Sequence, residues 1–251
     1  MEYKIDTMSR INEKFNKMSK GHKKIATFII DHYEQAAFMT AAKLGTTVGV
    51  SESTVVRFAY SLGYEGYPAT SCISINDEVV HGIPGGRKIK NGDIVSIDLV
   101  LSYKGYHADA TRTYIVGNVS EEIKNLVKDT KDAFYAGVAK VKEGARVRDI
   151  SCAIEDYAHS HGLSVVEELC GHGIGLEMHE EPDICNFDDG NMTRLKAGMV
   201  IAIEPMLNLG SKKVYLCDDD WTVKTMDGKP SCHYENTVLV TKDGYEILTG
   251  D

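Results

Sequence analysis

Residues 92–117 read GDIVSIDLVLSYKGYHADATRTYIVG. Apolar and polar residues alternate on both sides of Tyr103–Lys104, the pattern of two strands joined by a tight turn. With the turn centred between Tyr103 and Lys104, Asp98 stands directly opposite Asp109 on one face. Their Cβ atoms would then lie about 5 Å apart. Two carboxylates that close repel, and one pKa must rise. A divalent cation held between them removes the conflict. The alternative is two unrelated hairpin acids, one of them facing solvent.

Outward from this hairpin the pattern stays mixed. SCISINDEVVHGIP (71–84) alternates apolar and polar residues around a turn at Asn76–Asp77. Two amphipathic helices follow the hairpin. The first is N-capped by Ser120 and carries Ile123, Leu126, Val127, Phe134, Val138 and Val141 on one stripe. The second carries Val147, Ile150, Ile154, Tyr157, Ala158 and His161. Strand-like segments close the chain at MVIAIEP, WTVKT and YENTVLVT. The plan is α+β, with helices covering one face of a curved antiparallel sheet.

Further polar residues sit where strands end or turn. His172 lies in CGHGIGLEMHEEP, with a glycine on each side that lets the imidazole and a ligand approach the backbone closely. His179 follows seven residues later. Glu204 closes the apolar strand VIAIE, and a carboxylate there needs a partner. Glu235 precedes another apolar strand. Each alone also reads as a structural histidine or a strand-end acid. Together with Asp98 and Asp109 they form an oxygen-rich set with one nitrogen, suited to Mn, Fe, Co or Zn. Such a set can bridge two metals and activate a water.

The chain has 251 residues and 43% apolar composition, enough for one large domain or one domain plus a small one. No apolar run reaches the ~20 residues of a membrane span. The start, MEYKIDTMSRINEKF, has no apolar core of a secretory signal. A cytoplasmic protein without a membrane partner is expected. The six cysteines form no CxxC pair and read as free thiols in a reducing compartment. Residues 1–63 carry a net charge of +3 within a chain whose net charge is −9. The acidic remainder argues against broad coating of nucleic acid.

The head reads as helical. Ile25, Phe28, Ile29 and Tyr33 recur near helical spacing. In MTAAKLGTTVGVSESTVVRFAYSLGY (39–64), residues 41–47 suit one helix and Gly49 breaks it. Ser51 can cap a second helix bearing Val55, Phe58, Ala59 and Leu62. That is a helix-turn-helix layout. The stretch resembles the DNA-binding head of RpiR-type regulators over roughly residues 8–67. The resemblance implies DNA contacts through Ser53, Thr54 and Arg57. The other reading is a structural cover for the sheet.

The ordered set VVHGIP, DIVSIDLVLSYKGYHADATRT, CGHGIGLEMHEEP, MVIAIEPM and WTVKTMDGKPSCHYENTVLVT resembles type I methionine aminopeptidases across residues 67–251. The resemblance implies a pita-bread fold, with domains at 1–66 and 67–251. It implies two divalent ions, Co, Mn, Fe or Zn, on Asp98, Asp109, His172, Glu204 and Glu235. His81, His179 and Glu204 would be catalytic, with His81 and His179 on the substrate side. Tyr64, Tyr67, Cys72 and Trp221 would line a pocket for methionine. The expected partner is the N-terminal methionine of nascent polypeptides at the ribosome.

Two departures from that family pattern stand out. Its usual N-terminal helices and strand are replaced by the RpiR-like head, which leaves the first half of the fold incomplete. Related enzymes tend to carry Ala and Gln where this chain has Cys232 and His233. His233 shares a strand face with Glu235 and can perturb or join the site. Two rival readings therefore accompany the enzyme. One is a DNA-binding regulator that reuses an inactive peptidase body. The other is a recombinant product with impaired activity.

Overall fold

The computed structural model describes residues 11, 14–32, 36, 41–50, 55 and 67–250. Ser53, Thr54, Arg57 and Tyr64, expected above as DNA and pocket contacts, lie outside the described residues.

In the head, helix α1 (Lys20–Asp31) is capped by Ser19, whose side chain accepts from the His22 N–H. Helix α2 (Ala41–Val48) ends before Gly49, whose φ of 71° suits a glycine. Ile25, Ala26 and Ile29 of α1 bury with Leu44 of α2 and with Ile11, Ala36 and Val55 in one cluster. The apolar stripe of α1 is thus used inside the head rather than laid over the sheet.

The body begins with β1 (Cys72–Ile75), β2 (Glu78–Val80), β3 (Ile94–Tyr103) and β4 (Tyr106–Ile115). Strands β1, β3 and β4 form one antiparallel sheet. The β3–β4 turn is Lys104–Gly105, with φ of 52° and 82°, and Tyr103 pairs with Tyr106. Two positive φ angles are what a two-residue hairpin of this hand needs, and Gly105 supplies one without steric cost. This corrects the expected turn position. Asp98 pairs with Thr111, and Asp109 with Val100. Relative to the expected register, each partner moves by two residues, so both aspartates stay on one face as diagonal neighbours.

Helices α3 (Glu121–Val138) and α4 (Val147–Ser160) follow. Ser120 caps α3 by accepting from the Ile123 N–H, a contact of about 1 kcal/mol. The two helices approach closely at Gly137, where a Cβ would lie 2.7 Å from Ile154 Cγ1. Leu126, Phe134, Ile150 and Ile154 form the main core with Ile201, Leu207 and Val238 from the strands beneath.

Those strands are β5 (Ser164–Val165), β6 (Cys170–Gly173), β7 (Glu180–Cys185), β8 (Val200–Ile203), β9 (Met206–Asn208), β10 (Val214–Leu216), β11 (Val223–Thr225), β12 (Ser231–His233), β13 (Asn236–Val240) and β14 (Tyr245–Ile247). They form sheets ordered β14-β13-β8-β6-β7, β12-β9-β5 and β10-β11-β2. Cys170 and Cys185 are paired across β6 and β7 and joined by a disulfide. That corrects the expectation of free thiols for this pair, whose separation of 15 residues carries no sequence signature. Cys72, Cys152, Cys217 and Cys232 are free. Among the described residues, no helix is long and apolar enough to cross a membrane.

Candidate metal centre

The ends of these sheets bring the expected ligands together. Asp98 comes from β3, Asp109 from β4 and His172 from β6. Glu204 immediately follows β8, and Glu235 lies between β12 and β13. All five line one cavity of about 130 Å³. Ligand-type atoms of Asp109, His172 and Glu235 lie within 4.8 Å of one another. Glu204 joins them through Oε1, 3.5 Å from His172 Nε2.

The glycines beside His172 have a role different from the expected one. β6 is threaded between β7 and β8. A Cβ on Gly171 would lie 2.4 Å from the Ala202 carbonyl oxygen, and one on Gly173 would lie 2.4 Å from that of Glu181. Glycine at both positions lets the neighbouring strands close on β6 and so fixes the backbone that carries the imidazole.

Three of the ligands, His172, Glu235 and Asp109, are also held from behind. His172 Nδ1 lies 2.9 Å from the Gly173 carbonyl. Donation there leaves the Nε2 lone pair facing the cavity. Thr111 Oγ1 donates to Glu235 Oε2 at 2.9 Å. The Asp109 backbone is clamped by Thr237, whose Oγ1 accepts from its N–H and donates to its carbonyl. Thr111 and Thr237 were missed in the sequence. Each lies two residues beyond a ligand on the same strand face, so the period of two was the available signal.

Burial raises the pKa of Asp109 well above the ordinary carboxylate range, and Glu235, Asp98 and Glu204 add to the shift. Glu204 is raised by burial and then by Asp98. Glu235 is raised by burial, then by Glu204 and Asp98, although Thr111 opposes it. Burial lowers the pKa of His172 and takes that of His233 down to about 4. Oδ1 of Asp98, Oδ1 of Asp109 and Oε1 of Glu235 are buried without a hydrogen-bond partner. Buried carboxylate oxygens are costly unless paired or bound to a cation. These orphaned oxygens and the oriented imidazole fit divalent metal.

The expected substrate-side residues fall partly in this cavity and partly beside it. His81 and His179 line the same cavity. His81 is a non-glycine residue held at φ 58°, the kind of backbone strain that clusters at functional sites. Its ring meets Trp221 edge-on at 6.5 Å, and Trp221 meets Tyr67 edge-on at 5.2 Å. Tyr67 donates to the Gly82 carbonyl at 2.7 Å. Cys72 pairs with Asp98 across β1 and β3. These aromatic and thiol groups adjoin the cavity through His81 and Asp98 rather than lining it. His179 is exposed at the cavity rim, its ring 4.3 Å from that of His172. Val80, Leu169, Cys170 and Met206 also line the cavity and were not expected.

Residues 15–242 match the model of metallopeptidase family M24. The chain belongs to this family. The match begins inside the stretch that resembles RpiR-type heads. The methionine aminopeptidase of Clostridium perfringens is 50% identical over 188 residues, 74% of this chain and 76% of that protein. Methionine aminopeptidase 1 of Bacillus subtilis is 47% identical over the same shares. The crystal structure of methionine aminopeptidase from Rickettsia prowazekii superposes with a TM-score of 0.74 at 38% identity. That superposition covers 99% of this chain and 100% of the other. The body therefore has the pita-bread fold of M24 peptidases, a family of metal-dependent enzymes.

Proposed function

We propose that the chain is a metalloaminopeptidase that removes the N-terminal methionine from nascent proteins. The observation that carries this is the set of buried, unpartnered carboxylate oxygens of Asp98, Asp109 and Glu235, gathered with His172 and Glu204 in one cavity. These five residues would hold two divalent ions, drawn from Co, Mn, Fe and Zn. When bound, such ions polarise a carbonyl and make water a nucleophile near neutral pH.

The chain's own residues then divide the work. The four carboxylates would balance the charge of two divalent ions, and the centre would take the α-amine of a free N-terminus, which restricts cleavage to the first residue. Glu204 takes the proton of the attacking water and passes it to the leaving amine. His179 donates a hydrogen bond to the carbonyl oxygen as charge develops there. His81, also on the substrate side, positions the substrate. Tyr67, Cys72 and Trp221, with Tyr64 on sequence grounds, receive the methionine side chain. A thioether, a thiol and aromatic faces are compatible soft surfaces.

Residues 1–66 form a helical unit and residues 67–251 the catalytic domain. A separate apolar cluster within the head supports that division. The reading of the head as an RpiR-type helix-turn-helix rests on 39–64, and the ribosome and cytoplasm are the expected setting. The test of the function is hydrolysis of Met-Ala-Ser, Leu-Ala-Ser and N-acetyl-Met-Ala-Ser by the full chain with Mn or Co. Release of methionine from the first peptide alone is expected. Equal rates on Met- and Leu-initiated peptides would overturn the specificity, and cleavage of the acetylated peptide would overturn the need for a free amine.

A further inference from the structure

Five residues account for the metal reading, yet a further buried imidazole, that of His233, enters the same cavity. His233 ends β12, opposite Met206 of β9. Only 2% of it is exposed. Its Nε2 is buried without a hydrogen-bond partner and lies 3.5 Å from Glu204 Oε2. The backbone that carries the ring is clamped, because Thr113 Oγ1 donates to the His233 carbonyl at 2.8 Å and accepts from its N–H at 3.3 Å.

We propose that His233 is a further protein ligand of the metal centre, offering Nε2 to a divalent cation held against Glu204. This rests on the metal reading above. The N···O separation of 3.5 Å is longer than a good hydrogen bond, which spans about 2.7–3.2 Å. It is close to the spacing of two ligand atoms on one cation. Atoms about 2.1 Å from a tetrahedral ion lie roughly 3.4 Å apart. His172 Nε2 keeps the same 3.5 Å spacing from Glu204 Oε1. The two oxygens of Glu204 thus each face one imidazole, and His233 mirrors a residue already placed among the ligands. A second imidazole makes the centre richer in nitrogen. It shifts preference toward Zn, Co and Ni and away from Mn, whose partners are mainly oxygen.

The test uses the full chain, stripped of metal, labelled with ¹⁵N-histidine and titrated with Zn(II). His233→Gln identifies the His233 signals in the spectrum. Both His172 and His233 should move their Nε2 resonances to metal-bound positions. By calorimetry, His233→Gln should weaken Zn(II) about 10–100-fold and Mn(II) less. A shift at His172 without one at His233, with Zn(II) affinity retained in the variant, overturns this inference alone. Weaker binding without a shift at His233 also overturns it and makes the residue a positioning group. If neither nitrogen moves, the metal reading itself fails and the inference falls with it. If His233→Gln does not fold, His233→Asn supplies the same identification, and the number of Nε2 resonances that move in the unsubstituted chain, two against one, supports or overturns the inference.

Discussion

Thr111 Oγ1 donates to Glu235 Oε2 at 2.9 Å across a sequence separation of 124 residues. One hydroxyl thereby ties the first hairpin of the body to the segment before β13 and leaves the other Glu235 oxygen buried and unpartnered. Thr111→Val removes that tie at nearly constant volume. Metal affinity should fall about 10–100-fold, as for other groups that orient a ligand. Calorimetric titration of metal-free protein is the check, and an unchanged affinity would show that Glu235 needs no such anchor.

His179 lies at the rim of the cavity with its ring against His172. Its proposed part is charge stabilisation rather than ligation. His179→Ala should lower kcat by about 10²–10³ while the metal content per chain stays the same. Elemental analysis beside single-turnover kinetics separates the two roles. Loss of metal in the variant would make His179 a ligand.

Gly171 admits no side chain, since a Cβ there would press on the Ala202 carbonyl. Gly171→Ala must push β6 away from β8, at a cost of roughly 1–3 kcal/mol. Thermal unfolding should move down by several degrees, at about 2–4 °C per kcal/mol for a chain of this size. An unshifted Tm would mean that β6 relaxes freely.

Trp221 touches both Tyr67 and His81 edge-on. Trp221→Ala opens the side of the proposed methionine pocket. The ratio of kcat/KM for Met-Ala-Ser to that for Leu-Ala-Ser should fall about 10–100-fold. A ratio that does not change would place the pocket elsewhere.

The parts of this site legible in the sequence are those governed by strand ends and period two. Asp98 and Asp109 were placed on one face, and that survived although the turn sits at Lys104–Gly105 and not at Tyr103–Lys104. An error of two residues preserves the face, whereas an error of one would have reversed it. Contacts between distant segments were not legible in the same way. Nothing local pairs Cys170 with Cys185 or Thr237 with Asp109, because sheet order brings them together. The glycines around His172 were recognised as special but given the wrong neighbour. They make room for the Ala202 and Glu181 carbonyls, which only the position of β6 between β7 and β8 reveals.

Metal held among Asp98, Asp109, His172, Glu204 and Glu235 is the basis of the proposed activity. Anomalous scattering from crystals of the full chain soaked in Mn(II) and in Co(II) tests this directly. Two peaks about 3.5–4 Å apart, enclosed by these side chains and absent from crystals of Asp109→Asn, are the predicted result. Peaks elsewhere in the molecule, or none in the cavity at saturating metal, would contradict it.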